Sequence, residues 1–348
     1  MNRRIDSKVI AGLFGHILPF SRRNKRLRSR TANRLHMGIL VASFLAASYA
    51  TWLLIHATPT TPLQTGESNQ TVKTVVDDST PSQSDARFTS QPTWFQDFSG
   101  STKTLSSEYW NVLIGPAENS NKEQQYYTDD AANLRIEDGA LRIIATKKDY
   151  PGGYKYGSAR LETQGKKSFK YGRIDITAKL PAGSGTWPAV WMLPDNDTYA
   201  KKSPESDTMR YKNGGEIDIV EAVGFQPDTV YGVAHTVSDL VKRGDGTGSH
   251  KSVNVKSTEY NTYTLLWTPT SLAYAVNGSV FFTYTRQDNA DYTTWPFDQP
   301  FYLIANLAIG GTWGGMDTKR FPGNGVDDSA LPASLDIRSI HYYPYVQG

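Results

Sequence analysis

The stretch "YGRIDITAKL" alternates without a break: Ile174, Ile176, Ala178 and Leu180 fall on one face, and Arg173, Asp175, Thr177 and Lys179 on the other. A helix cannot sort these residues, whereas a strand with one face buried and one face wet does so directly. The same grammar recurs downstream of residue 93. "ALRIIATKK" follows the turn Glu137-Asp138-Gly139, and "SLAYAVNGSVFFTYT" sets Asn277-Gly278, a strong hairpin signal, between two apolar alternations. Glycine and aromatic residues are abundant (29 Gly, 20 Tyr, 13 Phe, 8 Trp) and long Leu/Ala/Glu/Lys patterns are scarce. The expectation is an all-β, two-sheet antiparallel β-sandwich over residues 93–348, a size that one such domain can reach.

The first 92 residues obey other rules. An overall charge of +3 conceals +9 over residues 1–36, where ten Lys or Arg face one acid, and so −6 over the rest. A nucleic-acid binder would carry its basic surface on the folded domain, so nucleic acid is not an expected partner. Residues 37–55, "MGILVASFLAASYATWLLI", are uncharged and follow the basic run "RRNKRLRSRTANR". Their length suits a membrane span of about 20 residues, and the positive flank predicts a cytoplasmic N-terminal side. Residues 1–36 thus read as a basic cytoplasmic segment, 37–56 as a single transmembrane anchor helix or a signal segment, and 57–92 as a disordered Thr/Ser/Pro/Gln linker. The folded part is expected outside the cytoplasm, membrane-anchored, or secreted if the apolar segment is cleaved. The chain has no cysteine, which excludes disulfides, thiolate metal sites and a cysteine nucleophile.

The chemistry concentrates in "GEIDIVEA", with Glu216, Asp218 and Glu221 in six residues. On a regular strand Glu221 would point into the layer of Ile217 and Ile219, at a high desolvation cost. A β-bulge near Ile219-Val220 would absorb one residue and bring all three acids to one face. Two glutamates flanking a sugar linkage are the equipment of glycoside hydrolysis, and mutual repulsion would keep one of them protonated, with Asp218 between them as tuner. A solvated strand face or a calcium site would use the same spacing. "GTWPAVWMLP" tips the balance: Trp187 and Trp191 share a strand face and offer flat surfaces to pyranose rings, with their N–H groups free for hydroxyls.

"SARLETQGKKSFKYGRIDITAKLPAGSGTWPAVWMLP", "GEIDIVEAVG" and "FYLIANLAIGGTWGG" resemble glycoside hydrolase family 16, in its laminarinase-like endo-β-1,3-glucanase branch, from about Trp94 to Tyr345. The resemblance implies a jelly roll of the concanavalin A-like kind, acting as a monomer on a β-glucan. It implies Glu216 as nucleophile, Asp218 as assisting aspartate and Glu221 as general acid/base. It further implies Asn121, Arg160, Trp187, Trp191, His235 and Trp313 as substrate contacts, with Glu123 and Gln125 as structural residues. No cofactor is required, and Asp336 sits where many members place a structural calcium ligand. One departure concerns residues 195–213, polar and without the tryptophan-proline pair of the branch, with Tyr211 as the available stacking surface. A hydrolase or transglycosylase for mixed-linkage glucan or galactan stays open, as does a non-catalytic β-glucan-recognition module, although members of that kind lack one or both glutamates.

Overall fold

The computed structural model describes residues 87–346 except 101–103, 118–120, 197, 200–213 and 240–247. The described residues all belong to the unit Asp77–Gly348. Among them no helix is long and apolar enough to cross a membrane. The basic segment, the apolar run 37–56 and linker residues 57–86 lie outside the described residues.

Two sheets form, of eleven and eight described strands. Strand Gly172–Lys179 alternates buried and half-buried residues along its whole length. Ile174, Ile176 and Ala178 reach the core at 1% exposure or less. The Asn277-Gly278 hairpin forms as its sequence requires: both residues have positive φ, 49° and 79°, between strands Ser271–Val276 and Ser279–Thr285. The Asn277 carboxamide locks the turn, its Oδ1 accepting from the Thr262 N–H at 2.9 Å.

The eight-stranded sheet runs in the order Ser249–Asn254, Thr229–His235, Glu216–Glu221, Thr186–Pro194, Phe301–Ile309, Arg160–Glu162, Asn111–Val112, with Ser168–Phe169 also paired to Phe301–Ile309. Strand Phe301–Ile309 is buried at all nine positions, as expected of a central strand covered on both faces. Between the sheets lies an aromatic-rich core that includes Trp267, Trp295, Tyr263, Tyr274, Phe297 and Phe301. Fully burying a side chain of this kind contributes roughly 1.5–3 kcal/mol, so the core alone offsets a large part of the chain entropy.

Two features depart from expectation. Strands Gln125–Tyr127 and Tyr156–Ser158 pair in parallel within the otherwise antiparallel larger sheet. The folded unit also reaches back into the expected linker. Phe88 is 5% exposed, bridges to Tyr345 across a β-bridge and meets its ring edge-on at 6.0 Å. A lone phenylalanine in a polar stretch is here an anchor for the chain's return edge.

Candidate active site

The acid strand enters through Gly215, whose φ of +77° and contact with Pro296 leave no room for a side chain, since a Cβ there would lie 2.4 Å from Pro296 Cγ. Beyond it the register slips by one residue against both neighbours. Against Thr186–Pro194, Val190 faces Val220 and Trp191 faces Asp218, so Ile219 has no partner. Against Thr229–His235, Asp218 faces Val233 and Glu221 faces Tyr231, so Ile219 and Val220 together oppose Gly232. This is the bulge that the acid spacing required. Gly232, opposite the bulge, leaves no room for a side chain, since a Cβ there would stand 2.6 Å from the Tyr274 ring, whose hydroxyl donates to Val233 O at 2.7 Å. Ile217, Ile219 and Val220 pack in the core. Glu216, Asp218 and Glu221 share the outer face.

The two tryptophans of the neighbouring strand divide that face into two stations. Trp187 donates its indole N–H to Glu221 Oε1 at 2.6 Å and receives the edge of Trp313 at 5.6 Å, while Trp313 also meets Tyr231 edge-on at 5.1 Å. Trp191 donates to Asn306 Oδ1 at 2.7 Å and carries the Arg160 guanidinium over its ring at 5.2 Å. Neither indole N–H is free for a sugar hydroxyl, contrary to the expectation from sequence; both are committed to positioning. Asn306 in turn donates to the Tyr127 hydroxyl at 3.2 Å. Glu123 collects the Gln125 amide at 2.6 Å and the Asn121 amide at 3.3 Å. Gln125, wholly buried, also accepts from the Ile309 N–H at 2.7 Å. Glu123 thus links Gln125 to Asn121, whose backbone oxygen accepts from the Thr312 N–H at 2.7 Å, next to Trp313.

Burial and the nearby Asp218 and Glu216 carboxylates push the Glu221 carboxyl up to about 8, against the hydrogen bond from Trp187 and the positive His235. His235 faces Glu216 across the strand pair, and its Nε2 stands 2.9 Å from Asp218 Oδ2. Burial disfavours charge on this ring, but Glu216 and Asp218 outweigh it and lift its pKa to about 10. The site thus holds an imidazolium among three carboxyl groups, one of them protonated at neutral pH. Trp187→Phe keeps a ring but removes the N–H that lowers the Glu221 pKa. The alkaline limb of a kcat/KM profile should then move to higher pH, and an unmoved limb would show that this contact does not tune the acid.

Residues 118–323 match the family model for glycosyl hydrolases family 16. The chain belongs to that family. It is 40% identical over 245 residues to a β-glucanase of Rhodothermus marinus, covering 69% of this chain and 80% of the relative. A glucan endo-1,3-beta-glucosidase A1 of Niallia circulans is 32% identical over 271 residues, 72% of this chain but 37% of that longer protein. The X-ray structure of the laminarinase from Rhodothermus marinus superposes with a TM-score of 0.65 at 39% identity, over 74% of this chain and 98% of that one. The protein is an O-glycosyl hydrolase of family 16, and its fold is the family's sandwich.

Within this family 16 site, sequence reasoning had missed three residues. Asn306, Tyr127 and Tyr231 all touch the expected residues through neighbouring strands. Asn306 left a readable trace as the one amide in the apolar strand "FYLIANLAI". Tyr231 left none, since it is one of twenty tyrosines. A calcium ion at Asp336 would meet two cationic side chains. Its carboxylate lies 3.4 Å from Arg142 Nε and 3.1 Å from Lys179 Nζ and accepts from the Ser334 hydroxyl. Two cations already balance it, whereas calcium needs six to eight oxygens. Among the described residues the grouping able to hold a metal is Glu216, Asp218 and His235, whose ligand atoms lie within 4.8 Å of one another. Tyr211 and most of the polar loop 195–213 lie outside the described residues.

Proposed function

We propose that this hydrolase cuts internal β-1,3-glucosidic bonds of β-glucans and retains the configuration at the anomeric carbon. The observation that carries the reading is the bulge at Ile219-Val220, which sets Glu221 beside Glu216 and Asp218 on the face lined by Trp187 and Trp191. The substrate class rests on relatives described as a β-glucanase, a glucan endo-1,3-beta-glucosidase and a laminarinase.

In this reading Glu221 gives its proton to the departing glycosidic oxygen while Glu216 attacks the anomeric carbon. The C–O bond to the leaving sugar breaks and an ester to Glu216 forms. Glu221, now a carboxylate, takes a proton from water, and the resulting hydroxide displaces Glu216. Two displacements at one carbon restore its configuration. Asp218 and His235 balance charge around Glu216, and Asn121, Arg160, Trp187, Trp191 and Trp313 contact the sugars.

Incubation with laminarin, lichenan and agarose tests the substrate. Expected is rapid reducing-sugar release from laminarin as a ladder of oligosaccharides, with the β-anomer appearing first by NMR. Release from agarose but not from laminarin would replace this reading with a galactan hydrolase. The proposal extends to location and assembly: residues 37–55 anchor a monomer in a membrane with the catalytic unit outside. Recovery of the protein from the medium would instead mean that the segment is cleaved.

A further inference from the structure

A β-bulge interrupts the ladder at the very place where it turns a side chain, so the bulged strand is held there by fewer hydrogen bonds than a regular one. Here the bulge carries Glu221, and support comes from the other sheet. Gly232 stands opposite Ile219 and Val220, and Val233 stands opposite Asp218, so these two residues mark the point where the register slips. Tyr274, on strand Ser271–Val276 of the eleven-stranded sheet, touches both. Its ring lies under Gly232 in the space a Cβ would need, and its hydroxyl donates to Val233 O at 2.7 Å. The ring is wholly buried and stacks on Phe282 at 5.2 Å and 19°, so the core fixes its position. Bringing a hydroxyl into a core costs free energy that a phenylalanine of the same shape avoids. The bond to Val233 O offsets that cost and ties the ring to the strand that opposes the bulge.

We propose that Tyr274 is a positioning residue for Glu221: from the opposite sheet it holds Gly232 and Val233 against the bulge, and so fixes the register that turns Glu221 toward Glu216 and Asp218. The inference rests on the reading of Glu221 as proton donor and adds what sets its place. The two glutamates are held separately. Glu216 follows Gly215, which is packed on Pro296, and the next residue, Ile217, pairs with Met192 on one side and Ala234 on the other. Loosening the bulge therefore moves the proton donor and leaves the nucleophile in place. A displaced donor has a signature that a weakened core lacks. Cleavage between two sugars needs the proton, because a sugar alkoxide leaves poorly, whereas a dinitrophenolate leaves without one.

The test uses the full chain, well below its melting temperature, and compares kcat/KM on laminarin with kcat/KM on a dinitrophenyl β-glycoside of laminaribiose. For Tyr274→Leu the laminarin value should fall about 10–10²-fold, the scale of a reacting group displaced by a change outside the site, and the aryl value less than about threefold. Tyr274→Phe, which keeps the ring, should move the ratio the same way by less. Tyr342→Leu is the control, since Tyr342 packs on Phe169 at 4.8 Å and donates to Tyr171 O at 2.8 Å without touching the acid strand's neighbours. It should lower the melting temperature and leave the ratio of the two substrates unchanged. A folded Tyr274→Leu with an unchanged ratio, in a wild-type background active on laminarin, overturns the positioning role alone. If that variant does not fold, Tyr274→Phe decides on the same ratio, and an unchanged value again overturns the role. Wild-type protein inert on both substrates overturns the β-1,3-glucan reading and the positioning role with it.

Discussion

Glu216→Gln should lower laminarin hydrolysis by about four orders of magnitude or more, the scale seen when a covalent nucleophile is removed. The amide is nearly isosteric, so the entry through Gly215 and the pairing of Glu216 with His235 keep their geometry. What is lost is the negative charge that forms the bond to the anomeric carbon. Thermal melting and binding of laminari-oligosaccharides should change little, because the tryptophans and the Asn306 network are untouched. A smaller replacement adds a signature. Glu216→Ala leaves room for azide, which would attack the substrate directly and give an α-glycosyl azide through a single inversion. A variant that hydrolyses laminarin at the normal rate, or that yields the β-azide, would remove Glu216 from the nucleophile's role.

The sequence exposed this site unevenly, for physical reasons. Alternation and turn chemistry are local, so Gly172–Lys179 and the Asn277-Gly278 hairpin could be read directly. The bulge could be read as well, because an acid among isoleucines costs so much that only a register change makes "GEIDIVEA" consistent. Contacts between strands are not local. Asn306, Tyr127 and Tyr231 act through pairings that join residues more than a hundred positions apart or depend on a slipped register. The commitment of both indole N–H groups was invisible for the same reason, since Glu221 and Asn306 reach the tryptophans only after the sheet is assembled. The surroundings of Asp336 were hidden in the same way, since a sequence shows one carboxylate but not the Arg142 and Lys179 side chains brought to it from two other strands.

Glu221→Ala should behave differently from the Glu216 variants, and the difference follows from the charges around it. In the free enzyme burial and the two neighbouring carboxylates hold the Glu221 carboxyl near 8. It is therefore protonated over the neutral range, and activity should fall as pH rises through about 8. Formation of the glycosyl-enzyme turns Glu216 into a neutral ester. One of the two charges that raise the Glu221 pKa then vanishes, while His235, with its own pKa near 10, keeps its positive charge. The Glu221 pKa then moves down, in the direction a base needs, while burial and Asp218, the larger causes of its rise, stay in place, and one residue serves as acid in the first step and base in the second. Removing it should cost about 10²–10⁴-fold in kcat on laminarin. The loss should be far smaller on an aryl glycoside whose leaving group needs no proton, and the alkaline limb near pH 8 should disappear. Azide should here restore turnover and give the β-glycosyl azide, since it intercepts an intermediate already inverted once. An alkaline limb that persists in Glu221→Ala would assign the proton to another group on this face, with Asp218, 3% exposed and beside His235, the next carboxyl to replace.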